Sequence, residues 1–141
     1  MSKNVPVQFS IHSIITTQFA IIKECYDVSQ PIKLKLNAEI KAAPDNNSLQ
    51  VNVNLQLQQK QPFLVLETEC SYQIAAQSWL VLTKNKSVII PKDFAQHLTM
   101  LTLGTVRGIL HAKIEMSDFR SYVLPPIDVT QIIPKDIELH L

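Results

Sequence analysis

The sequence predicts an α+β domain: a four-stranded antiparallel sheet with one long helix, and a short C-terminal helix or turn, packed on one face. Three observations predict it. Apolar and polar residues alternate through much of the first half, polar breaks punctuate that alternation, and past Pro91 the apolar spacing lengthens to three and four residues.

Near the N-terminus Val5, Val7, Phe9, Ile11, Ile15, Phe19 and Ile21 keep one phase, which predicts one long strand or two bent ones over residues 5 to 24. From Ile32 to Ile40 every even residue is apolar and every odd one polar. Leu49 to Gln58 repeats the alternation, Leu49, Val51, Val53, Leu55 and Leu57 against Gln50, Asn52, Asn54, Gln56 and Gln58. Both read as half-buried strands, and Pro44-Asp45-Asn46-Asn47-Ser48 between them reads as a hairpin turn. A further strand is expected from about Phe63 to Ala75, with Leu64, Leu66, Cys70, Tyr72 and Ile74 inward. Pro91 suits a first helical position and Asp93 a first turn. Phe94, Leu98, Leu101, Thr105 and Ile109 then mark an amphipathic helix through Lys113, of about six turns. Pro125, Pro126 and Pro134 limit any later helix to a short one.

The 141 residues suit a single domain, 1–141, with 46% hydrophobic and 18% charged residues. A formal charge of +1 gives no electrostatic case for nucleic acid. No apolar run is long enough to span a membrane, and the N-terminus lacks the apolar core of a signal peptide. Cys25 and Cys70 both sit in apolar segments and read as reduced, packed thiols. A cytoplasmic location is the expectation.

The chemistry of common enzymes is not legible here. Gly104 and Gly108 are the two glycines, so there is no phosphate-cradling loop or nucleophile elbow. His12, His97, His111 and His140 are scattered, which argues against a metal site or cofactor. Glu67 and Glu69 share a strand face that reads as solvated. A non-enzymatic protein is expected. Two features ask for more. Glycine in a helix interior costs about 1 kcal/mol relative to alanine, so the Gly104–Gly108 pair predicts close approach of another element, either the chain's own sheet or a second subunit. The uncharged face bearing Asn52, Asn54 and Gln56 is either solvated or covered in an oligomer. A homodimer or homotetramer is expected on these grounds.

Several stretches together resemble the SecB-type protein-export chaperones. Gln30-Pro31-Ile32-Lys33-Leu34-Lys35-Leu36 resembles the entry to that family's second strand. Phe63-Leu64-Val65-Leu66-Glu67, with Tyr72-Gln73-Ile74-Ala75, is similar to its last strand. Arg107-Gly108, followed by Pro126-Ile127-Asp128-Val129, is similar to its Arg-Gly and Pro-Val-Asn-Phe stretches. The resemblance is collinear over most of residues 7 to 130. The chain departs from the family in a short loop from Glu24 to Gln30 with Tyr26 as its one aromatic, in Lys33, Lys35 and Lys41 on an outer face that is acidic in the family, and in a longer stretch from Gly108 to Pro126.

What the resemblance implies is an ATP-independent holdase, assembled as a dimer of dimers, that keeps client chains unfolded for export or within a toxin–antitoxin system. Its partners would be unfolded or precursor polypeptides, with a translocation motor or a toxin–antitoxin component. The alternative is a non-catalytic adaptor of the same fold that binds one dedicated protein. Client contacts are expected at Tyr26, which the resemblance places where the family's groove-lining aromatics stand, and at Phe63, Val65, Trp79, Leu80, Val88, Ile89 and Ile90, which lie outside the core pattern as surplus apolar residues. Glu67 is the acidic docking position that carries over by motif.

Overall fold

The computed structural model describes residues 6–141, and Val5 lies outside them. Its main layer is an antiparallel sheet in the order β1-β4-β3-β2, from β1 (Phe9–Ile21), β2 (Lys33–Ala43), β3 (Ser48–Gln58) and β4 (Pro62–Ile74). Alternation decides which face is inward. Leu49, Val51, Val53, Leu55 and Leu57 of β3 are all fully buried, at about 1.5–3 kcal/mol for each such side chain. The β2–β3 hairpin turns through a 3-10 turn, Pro44–Asn46, and closes on Asn47 in the left-handed region (φ 50°), a conformation asparagine tolerates.

β1 is one strand, but it does not keep one phase. Irregularities in its register with β4, between Ile11 and Ser13 and again between Thr16 and Gln18, each insert a residue. Ile11 therefore faces the helix side opposite Tyr72, Ile14 takes the next such place opposite Cys70, and Ile15 turns to the outer face opposite Glu69. A period of two cannot register an inserted residue.

The long helix, α2 (Lys92–Ile114), covers the inner face of the sheet. Its buried residues are Ala95, Leu98, Thr99, Thr102, Leu103, Val106, Leu110 and Ile114, whereas Phe94, Leu101, Thr105 and Ile109 lie on its half-buried flank. Threonine can occupy the buried stripe because Thr99 and Thr102 donate their hydroxyls to the carbonyls of Ala95 and Leu98, at 2.8 and 2.9 Å. Pro91 is the N-cap rather than the first helical residue, and it supplies no capping side chain. Asp136 does so instead, accepting from Lys92 N at 2.8 Å.

The alternation in the first half did not reveal a second layer. Helix α1 (Ala76–Leu82) leads into a small antiparallel sheet, β5 (Thr83–Lys84), β6 (Ser87–Ile90) and β7 (Ile137–His140), in that order. Between α2 and β7 the chain forms one short helix, α3 (Val129–Ile132), with Asp128 as its N-cap. Among the described residues no helix is long and apolar enough to cross a membrane.

Candidate functional site

The crossover from β1 to β2 is fixed by one side chain. Gln59, in the β3–β4 turn, accepts from Asp27 N at 2.8 Å and donates to the carbonyls of Asp27 and Gln30, at 2.8 and 3.1 Å. Asp27 in turn accepts from the backbone and hydroxyl of Ser29, and these bonds hold its carboxyl below the usual range. The loop so held presents Tyr26 to two other rings. Tyr26 stands 5.0 Å from Phe63 and 5.1 Å from Phe119, and Phe63 stands 5.1 Å from Phe119. These are favourable tilted and edge arrangements.

Phe119 arrives from the segment after α2. The Ser117 hydroxyl donates to Ile114 O at the helix end and accepts from Phe119 N, turning the chain back toward the loop. Beside the ring cluster a groove of about 260 Å³ opens, lined by Ile21, Lys23, Tyr26, Lys113, Met116 and Phe119 among others. Lys113 holds its ammonium 5.2 Å from the Phe19 ring. Met116 is 97% exposed, an unbranched and adaptable apolar side chain at the groove mouth.

Of the expected client contacts, the structure brings Tyr26 and Phe63 together and disperses the rest. Phe63 is fully buried and forms the floor of the cluster. Val65 pairs with Ala20 and Gln56 on the outer sheet face. Trp79 (6% exposed), on the buried side of α1, and Val88 and Ile90 are core residues, so they are not open apolar surface; the alternation of β6 turns Val88 and Ile90 inward and leaves Ile89 half-buried. Leu80 is open, 73% exposed, on α1. Phe119, Met116 and Ile21 were not legible as site residues. The one signal was the extra length between Gly108 and Pro126.

Gly104 and Gly108 are exposed, and a Cβ at either would meet nothing within 4 Å. Close packing on the chain's own sheet is therefore not their role. They line a second hollow, about 360 Å³, with Tyr122, Val123 and Leu124. Arg107 fixes its far wall by donating to the carbonyls of Leu124 and Pro125, at 2.9 and 3.2 Å.

On the outer sheet face the amides serve the carboxylates. Asn54 donates to Glu67 at 3.0 Å, Thr17 donates to the same carboxylate at 3.0 Å, and Gln50 donates to Glu69 at 3.2 Å. Gln56 accepts from Gln58, and Asn52 keeps a buried oxygen without a partner among the described residues. Lys33, Lys35 and Lys41 are exposed along β2. Among the described residues no three His, Cys, Asp or Glu side chains gather as a metal site. Burial pushes the Cys70 thiol up, away from reactivity.

No protein-family model and no curated protein sequence matches the chain. Its fold does match a solved structure, the Mycobacterium tuberculosis SecB-like chaperone Rv1957 in complex with a ChAD peptide from the Rv1956 HigA1 antitoxin. The TM-score is 0.56 at 11% identity, over 84% of this chain and 90% of that one. A Streptococcus agalactiae protein of unknown function aligns at a TM-score of 0.41 and 7% identity, over 88% of this chain and 99% of that one. The chain thus has a SecB-like fold, α+β, with the four-stranded antiparallel sheet and the long helix in place.

Proposed function

We propose that this protein is a nucleotide-independent holdase that binds non-native polypeptide in the groove beside Tyr26, Phe63 and Phe119. The observation that carries the reading is the groove itself: the Tyr26 and Phe119 rings in its wall beside the aliphatic Ile21 and an exposed methionine. A bulky apolar client side chain fits such a surface, and flexible methionine suits varied partners. The SecB-like neighbour's binding of an antitoxin peptide supports a polypeptide ligand, and a toxin–antitoxin component is a partner this reading admits. Phe119, largely buried, packs the ring cluster behind Tyr26, the one aromatic of the short crossover loop. Motor docking through Glu67 is the weaker part of the reading, because that carboxylate is engaged by Asn54 and Thr17.

Self-association belongs to the same proposal. The outward stripe of α2 carries His97, Met100, Gly104, Gly108 and His111 without a carboxylate or lysine among them, and β1 leaves Ile11 and Ile14 half exposed beside it. A second copy is the partner that suits both surfaces.

The test is light scattering of a chemically denatured client diluted with and without stoichiometric protein, comparing wild type with Met116→Glu. Wild type should delay aggregation without nucleotide. Met116→Glu should lose at least half of that delay at an unchanged melting temperature, since the side chain contributes little to the fold. Unchanged client aggregation alongside tight binding of one native partner would sink the holdase reading in favour of a dedicated adaptor.

A further inference from the structure

β7 is held more lightly than the strand it covers. Val88 and Ile90 of β6 are fully buried, and they stand opposite Leu139 and Ile137 of β7. Directly opposed residues share a face, so the four aliphatic side chains form one cluster. Ile137 and Leu139 nonetheless remain half-buried. The polar side-chain contacts from β7 to β6 are exposed ones, Ser87 Oγ to His140 Nδ1 at 3.2 Å and to the Glu138 carboxylate at 3.5 Å. The chain is anchored upstream at Ile133, which is buried and accepts from Gln96 Nε2 at 2.8 Å. Between that anchor and β7 lie Pro134, Lys135 and Asp136, all exposed, and Asp136 is a second anchor through the bond it accepts from Lys92 N at 2.8 Å. Beside β7 a hollow of about 380 Å³ runs along Ala38 and Ile40 of β2, with Ile132, Ile133 and Ile137 opposite.

We propose that β7 is an exchangeable strap, and that the edge of β6 beneath it is a second docking site for an extended polypeptide carrying aliphatic side chains at alternate positions. The strap itself defines the occupant: Ile137-Glu138-Leu139-His140 sends its two aliphatic side chains to the Val88–Ile90 face and its two polar ones to solvent. When it lifts from Ile137 onward, just past the Asp136 cap, β6 gains a free edge of unpaired N–H and C=O groups. Val88 and Ile90 then open onto the hollow along β2. Main-chain bonds would hold the incoming strand, and the cluster would select its alternate side chains. This site is separate from the aromatic groove, and its test does not depend on that reading.

The test uses the full chain and a fluorescent synthetic hexapeptide copying residues 136–141. Ser87→Cys with His140→Cys places thiols at directly opposite register positions, so oxidation locks the strap. Leu139→Asp loosens it. Fluorescence anisotropy should show the peptide binding Leu139→Asp at least tenfold more tightly than wild type. The oxidised lock should bind none, and reduction should restore binding. Equal binding by the oxidised and reduced lock overturns the proposal, as does a folded Leu139→Asp chain that ignores the peptide. If Leu139→Asp fails to fold, the oxidised and reduced lock alone decide the question. Client aggregation measured with the oxidised lock reports on the aromatic groove independently.

Discussion

Replacing both helical glycines with alanine separates the fold from the assembly. Gly104 and Gly108 sit inside α2 with open space where a Cβ would go, so alanine meets no clash within one chain. Each replacement should then recover the helix-propensity difference, about 1 kcal/mol, or about 2 kcal/mol together. Unfolding entropy near 2.1 cal/mol/K per residue gives about 0.3 kcal/mol/K for a chain of this length, so the melting temperature should rise by about 7 °C. That gain applies to the isolated chain. If a second copy's helix approaches the glycine stripe, two methyl groups hold the axes apart and association weakens. Thermal melts at nanomolar and at high micromolar concentration, with light scattering at the latter, resolve the two effects. The double variant should melt higher than wild type when dilute, and should lose oligomer when concentrated. A dilute variant that melts lower would refute the reasoning, because it would mean the glycines pack within the chain after all.

Three other outcomes follow from the core. Asp136→Ala removes the side chain that caps α2 from across the fold and should cost about 1 kcal/mol, read by chemical denaturation. Burial pushes the Tyr72 phenol up to about 12. The folded state therefore keeps a proton that the unfolded state releases near 10, so stability should fall as pH rises from about 10 toward 12 and be insensitive to this group below that window. Tyr72→Phe should reduce that slope while costing about 1 kcal/mol, since Thr102 keeps its bond to Leu98 O and the half-buried Tyr122 phenol and buried Cys70 thiol keep their own share of it; an unchanged alkaline slope in pH-dependent melts would refute the assignment. Trp79 is buried away from the groove, so its fluorescence should be blue-shifted and unmoved by a bound polypeptide, and a client-dependent shift would contradict this placement.

The fold was legible wherever one residue type repeats at one period. β3 is the clearest case, because every second residue is aliphatic and every other one an amide, which fixes its faces before any neighbour is known. β1 is also largely apolar but has two inserted residues, and bulges leave no mark in an apolar count. β6 and β7 were not legible for a different reason. Four-residue strands are too short to establish a period, and they pair across about fifty positions of sequence, so neither segment carries the evidence for the other.

The site divides along the same line. Tyr26 and Phe63 stand out because aromatic residues in or beside a loop are conspicuous, but their apolar character does not say whether they are covered. Phe63 is covered by Tyr26 and Phe119, and Trp79 lies on the buried side of α1, whereas Met116 just beyond the end of α2 has no neighbour to cover it. Exposure is a property of the assembled layers. A local turn at Ser117, whose hydroxyl donates to Ile114 O three residues back and accepts from Phe119 N two residues on, swings Phe119 toward the cluster, but nothing in Glu115-Met116-Ser117-Asp118-Phe119 says which rings it will meet there. The glycine pair shows the converse. Two glycines in a helix ask for a reason in the sequence, and the structure removes the intramolecular one by leaving them open. The approach of a second copy, proposed above, is a reason that one chain cannot display by itself, and the alanine pair, measured both dilute and concentrated, tests whether this protein assembles through that stripe.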